Sequence, residues 1–265
     1  MTTSDNGTPG RIIAAGGLDP SAGAGLAVDI GAAAKFGAVV FPVVTAITAQ
    51  NSQQGLSYDP VGANILEKQL AAVFSDMKPA HIKVGMVGSA DNARVLARFI
   101  SDNRLTFVLD PVMVSSSGFE LADRPTVAAI MSELIPRSYL VTPNAAEAAA
   151  LTGQPVDTPA QAEQAAIALH DQMGATNVVV TGGHLKGAGR IVDTLYNGDN
   201  IHVFERERID GSARGTGCAF ATAAAIGLAR GLELEAALGI AGDLAAEMIA
   251  GSQKVGGGRP QFIFR

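Results

Sequence analysis

Short apolar runs alternate with longer helix-favouring stretches along most of the chain. Residues 11–15 (RIIAA), 39–46 (VVFPVVTA), 81–84 (HIKV), 106–109 (TFVL), 139–141 (YLV) and 177–180 (NVVV) end in Gly, Pro, Asn or Asp or in polar tracts. Each predicts a strand buried on both faces. Helices are predicted between them, at about 24–36, 62–76, 90–102, 158–172, 216–230 and 233–251. Residues 190–208 predict a β-hairpin turning at Asn197-Gly198. Its outer strand carries Glu205, Arg206, Glu207 and Arg208, which read as a solvated edge. Residues 1–10 are polar and read as a loose tail.

Strands alternating with helices imply a mainly parallel sheet with helices on both faces, a three-layer α/β/α arrangement with a hairpin near one edge. Right-handed crossovers then bring the carboxyl ends of the strands to one rim. The chain has 265 residues, 48% of them hydrophobic, and shows no repeat or linker-like shift, so residues 11–265 are expected to form one domain. The 31 glycines follow no triplet period and fit tight turns. A net charge of −6 argues against a nucleic-acid surface but leaves room for a small anionic ligand in a local pocket. The single cysteine excludes an intrachain disulfide and fits a reducing compartment. With no apolar leader and no run of membrane-spanning length, a soluble cytoplasmic protein is expected.

Candidate chemistry gathers at the ends of the strands. Arg214-Gly215-Thr216-Gly217-Cys218 precedes a breaker-free alanine-rich run. A glycine turn into a helix leaves its first N–H groups unpaired, which suits an anion. Cys218 lies in that first turn, where the dipole favours its thiolate. The small-residue loop 17–25 allows close backbone approach to a ligand, and Asp29 behind it reads as a solvent-facing helix residue. Gln50, in a polar tract after a strand, can donate and accept at once, as a heterocycle edge requires, or can simply belong to a loop. Asn144 and Glu147 have capping-box spacing, and Glu147 could also serve a magnesium ion. Asp110 ends another strand, and Ser115 to Gly118 suit a lip over a pocket. His170, His184 and His202 lack ligand-like spacing and are assigned no metal.

Six ordered motifs carry a family resemblance: Asp19-Pro20-Ser21-Ala22-Gly23-Ala24-Gly25 with Asp29, Thr45-Ala46-Ile47-Thr48-Ala49-Gln50-Asn51, Lys83-Val84-Gly85-Met86, Asp110-Pro111-Val112-Met113, Thr142-Pro143-Asn144-Ala145-Ala146-Glu147 and Gly215-Thr216-Gly217-Cys218. Over residues 11 to 260 the chain resembles the ribokinase superfamily, and within it the hydroxymethylpyrimidine/phosphomethylpyrimidine kinases of thiamine biosynthesis. The resemblance implies a ribokinase-like fold, ATP and Mg2+, a small pyrimidine alcohol as substrate, and a homodimer, with no nucleic-acid or membrane partner. It implies catalysis at Gly215, Thr216, Gly217 and Cys218, and substrate binding at Gly17, Asp29, Gln50 and Met86. Nucleotide contacts fall on Asn144, Glu147, Thr181 and Gly183, and metal binding on Glu147 and Asp110. Arg214 stands where the family has His and would add positive charge to the turn; Ala219 replaces Thr, Thr181 replaces Lys, Gly17 a Ser or Thr, and Ala22 a Gly. The rivals are a pyridoxal or pyridoxine kinase, and a catalytically weak pyrimidine-binding regulatory protein.

Overall fold

The computed structural model describes residues 10–185 and 189–265, so the expected N-terminal tail lies almost wholly outside the described residues. The predicted strands appear as β1 (Arg11–Leu18), β2 (Val39–Gln50), β4 (His81–Val84), β5 (Thr106–Leu109), β6 (Leu140–Val141) and β7 (Val178–Val180), followed by the hairpin β8 (Arg190–Tyr196) and β9 (Ile201–Glu207). One strand was not expected. β3 (Gly55–Pro60) folds back antiparallel on β2, which runs on to Gln50 instead of ending near Ala46. β3 lies at the sheet's edge with no buried residue, so it needs no apolar run that would announce it.

The order across the sheet is β3-β2-β1-β4-β5-β6-β7-β8-β9, with β2 through β7 parallel and the outer pairings antiparallel. The chain leaves β1 towards β2 by way of α1 (Gly25–Lys35) and leaves β4 towards β5 by way of α3 (Ala90–Asp102), on the opposite side. The connections from β1 and β4 therefore diverge, and the crevice between them lies where open α/β sheets bind ligands.

Period-2 alternation divides the strand side chains between two cores. Ile13, Ile82, Val84, Phe107, Leu109 and Val180 pack with α2 (Ala63–Met77), α3, α5 (Ala145–Thr152) and α6 (Pro159–Met173). Ile12, Val108, Leu140 and Val179 face α1, α7 (Thr216–Ala229) and α8 (Leu234–Ala250). In α7 every residue from Ala219 to Gly227 is buried, which explains its lack of a polar face. Between β5 and β6 the chain forms α4 (Arg124–Ala129), which runs into a π turn and a 3-10 turn. Asp123 caps α4 by accepting the Thr126 N–H at 2.9 Å, and Pro125 occupies its first turn.

The hairpin corrects one expectation. Glu205 and Glu207 are exposed, but Arg206 turns inward to pair with Asp193, whose Oδ1 accepts the Gly182 N–H at 2.7 Å. β9 thus helps to hold the turn that follows β7.

Candidate active site at the carboxyl ends of the strands

α7 begins on Gly215, at φ +76°, a left-handed conformation that any side chain would strain. A Cβ there would also stand 2.6 Å from the Gly23 carbonyl oxygen, so the turn and the 19–25 loop are in backbone contact. No side chain caps the helix, and Gly217 is exposed. The start of α7 is therefore open, with the geometry expected of an anion site. Beneath it, a Cβ on Gly217 would lie 4.0 Å from Asp110 Oδ1.

Lys83 is the residue whose importance sequence reasoning missed. Its neighbours Ile82 and Val84 face one core, so alternation turns Lys83 to the other, towards α1 and α7. Its ammonium is 1% exposed and donates to both carboxylate oxygens of Asp29 at 3.1 Å. Thr222 Oγ1 donates to Asp29 Oδ1 at 2.8 Å, and Asp110 Oδ2 lies 4.0 Å from the Lys83 nitrogen. A lysine between Ile82 and Val84 in a short buried strand was the available signal, since such a charge requires a carboxylate partner.

These contacts correct two expectations. Asp29 is fully buried and engaged by Lys83 and Thr222, so it lies under the site and not on its wall. Cys218 is half-buried, and desolvation pushes its pKa up to about 12, against the lowering effect of Lys83 and a hydrogen bond from the Gly25 N–H. The thiolate is not favoured: loss of hydration outweighs the helix dipole. Burial also raises Asp29 and Asp110; Lys83 pulls both down without reversing the shift. Burial opposes the charge on Lys83, but Asp29, Cys218 and Asp110 prevail and raise its pKa. The shared cause is an excess of acidic groups around one cation in a dry setting.

Asn144 caps α5, accepting the N–H groups of Ala146 and Glu147 at 2.9 and 3.0 Å, while Glu147 Oε2 accepts the Asn144 N–H at 2.9 Å. The capping box is present as expected. Burial, then the charge of Asp110, drives the Glu147 pKa well above 4.5, which places the two carboxyl groups within mutual influence. Thr181 lies beside Asn144, its N–H donating to the Pro143 carbonyl at 2.9 Å. Gly183 is exposed in the next turn, where its carbonyl accepts from Arg208 at 3.0 Å.

Gly17 and Met86 meet at the β1–β4 crevice, where a Cβ on Gly17 would stand 2.7 Å from Met86 Sδ. The Ser or Thr of the family would therefore require Met86 to move. Gln50 stands apart from the Lys83 cluster. It is half-buried and follows Ile47, the partner of Leu18, by three residues, so β2 carries it about 10 Å beyond that pair. Arg214 adds no free charge to the turn, because it is buried and paired with Asp19 at 3.0 Å. Among the described residues no group of three or more His, Cys, Asp or Glu could hold a metal by itself; the side chain of His184 lies outside the described residues.

Residues 19–261 match the phosphomethylpyrimidine kinase family. The chain belongs to that family. Members similar to it include the hydroxymethylpyrimidine/phosphomethylpyrimidine kinase of Aquifex aeolicus, 34% identical over 91% of this chain and 95% of that protein. The thiamine biosynthesis bifunctional protein of Geobacter sulfurreducens is 38% identical over 86% of this chain; the match spans 47% of that longer protein. A phosphomethylpyrimidine kinase structure from Clostridium difficile 630 aligns with a TM-score of 0.78 and 29% identity over 91% of this chain and 99% of that one. The ADP complex of Bacillus subtilis pyridoxal kinase aligns at 0.89 and 29% identity over 97% and 98%. This phosphomethylpyrimidine kinase family member has a ribokinase-like fold and is a phosphotransferase.

Proposed function

We propose that the protein transfers the γ-phosphoryl group of ATP to the hydroxymethyl oxygen of 4-amino-5-hydroxymethyl-2-methylpyrimidine, and then to the resulting monophosphate. The observation that carries this reading is the open start of α7 above Asp110 and Cys218. In the transfer, a bond forms between the acceptor oxygen and the γ-phosphorus, the bond to the bridging oxygen of ADP breaks, and the proton of the acceptor hydroxyl passes to an oxygen of the transferred phosphoryl group. The N–H groups of Thr216, Gly217 and Cys218 meet the charge of the transferring group, which is most of what such a transfer needs. Cys218, protonated near neutral pH, orients the acceptor hydroxyl through its sulfur lone pairs. Gly17 and Met86 form the acceptor side, and Gln50, at the far end of β2, is the outer residue of that side. Asn144, Glu147, Thr181 and Gly183 form the nucleotide side. Asp29 supports the floor through Lys83.

Mg2+ fits the residues present. Asp110 Oδ2 is buried without a hydrogen-bond partner among the described residues, and Glu147 supplies a second hard oxygen close enough to be repelled by it. One or two carboxylates plus substrate phosphates is the usual magnesium donor set. Bound there, Mg2+ would neutralise charge on the phosphates.

One folded unit over residues 11–265, a homodimer and a cytoplasmic setting belong to the same reading. Among the described residues no helix is long and apolar enough to cross a membrane. The likeness to pyridoxal kinases supports a second acceptor class, pyridine alcohols. A coupled ADP-release assay against pyrimidine and pyridine alcohols, with and without EDTA, tests the proposal. Magnesium-dependent release with the aminopyrimidine is expected; release with pyridoxal alone would transfer the assignment to the second class.

A further inference from the structure

Arg214 is one of the few buried charged residues of the chain, and its guanidinium bridges parts of the fold that are remote in sequence. Nη2 donates to Asp19 Oδ2 at 3.0 Å, and Nη1 donates to Ser21 Oγ at 2.7 Å. Asp19 Oδ1 accepts the Ser21 N–H and O–H at 2.8 and 2.7 Å, and Oδ2 also accepts the Gly23 N–H at 3.1 Å. The Arg214 N–H donates to the Pro260 carbonyl at 2.9 Å, and Gln261 Nε2 donates to the Ser21 carbonyl at 3.3 Å. The loop after β1, the turn before α7 and the C-terminal segment are joined at this point. The loop contains Ala22 at φ +54°, a conformation an alanine does not hold without external restraint.

We propose that Arg214 is a positioning residue for phosphoryl transfer, holding loop 19–25 against the start of α7 so that the Gly25 N–H and the first N–H groups of α7 converge around Cys218. The inference rests on the function proposed above. Two observations support it beyond the ion pair. The backbones of Gly23 and Gly215 touch, a Cβ on Gly215 meeting the Gly23 carbonyl oxygen at 2.6 Å, and the same Cβ would stand 3.2 Å from the Ala24 Cα. Arginine suits the position because its planar fork can meet Asp19 and Ser21 together, whereas a lysine offers a single point charge and a histidine two donors at most, in another geometry. The guanidinium is therefore occupied within the protein and positions the loop without itself meeting the transferred group.

The test uses Arg214→Lys, Arg214→His and Asp19→Asn in the full chain, with the folded fraction measured for each. The histidine variant carries the residue the family resemblance places here, which guards against misfolding. The first readout needs no substrate: iodoacetamide should alkylate Cys218 about fivefold faster in Arg214→Lys than in the parent, as the sulfur loses its covering loop. The second is kinetic: kcat per folded molecule should fall about tenfold while KM for ATP moves little, because alignment is lost and nucleotide contacts are not. Asp19→Asn should add little on top of Arg214→Lys. Alkylation and kcat within about twofold of the parent, with only the melting temperature lowered, would reduce Arg214 to a structural role and overturn the proposal. A parent enzyme inactive on every alcohol would refute the functional reading instead, and alkylation would still decide whether Arg214 holds the loop.

Discussion

Cys218 shows how one residue's environment reverses a rule drawn from its position. A helix start favours a thiolate, but here desolvation, with Asp110 and Asp29 nearby, holds the proton on sulfur up to a pKa of about 12. Against an ordinary value of 9.0, that shift reduces the thiolate fraction near neutral pH by about three orders of magnitude. Alkylation of the free protein should accordingly be far slower than that of a small thiol, and should still rise with pH at about pH 9, where a small thiol levels off. Cys218→Ala should lower kcat with little change in KM for either substrate; steady-state rates on folded protein check it. Glu147 behaves in a related way. Its folded pKa lies well above 4.5 because of burial and Asp110, so the folded state binds its proton more tightly than the unfolded chain does. The sign follows: the group favours folding below its unfolded pKa, and that contribution is lost as pH rises through the folded pKa. Glu147→Gln keeps an N3 residue able to complete the capping box while removing the charge. The variant should have a higher urea midpoint than the parent at about pH 8, a gain that disappears near pH 4, together with weaker magnesium-dependent activity.

At the scale of elements, β4, α1 and α7 are held together by a polar link within an otherwise apolar layer. Lys83 comes from β4, Asp29 from α1 and Thr222 from α7. Lys83→Met leaves Asp29 buried without its cation and should cost about 3–5 kcal/mol by denaturant unfolding. Asp29→Asn in the same chain should restore part of that loss, because the unpaired charge is then gone. The main elements were legible where local chemistry is strong. Asn144 with Glu147 announced α5, the alanine run announced α7, and Asn197-Gly198 announced the β8–β9 turn. β3 and α4 were not. β3 is exposed along its length and exists through pairing with β2, and α4 is a short helix merging into a π turn.

At the scale of the molecule, the diverging connections of β1 and β4 open the crevice, and the parallel strands bring Gly17, Met86, Asp110, Glu147 and Thr181 to one rim. The alternation of elements was enough to foresee this rim, because right-handed crossovers leave little choice of side. Local pattern fixed by itself the order of the strands and helices other than β3 and α4, the capping box of α5, the glycine turn and the family, since each depends on neighbours a few residues away or on ordered motifs. Only the tertiary structure decided that Asp29 lies beneath the site, that Lys83 charges its floor, that Arg214 is already paired, and that Cys218 keeps its proton. Those outcomes depend on which charges come together from distant segments and on how much water remains beside them, and neither quantity is a property of any short stretch of chain.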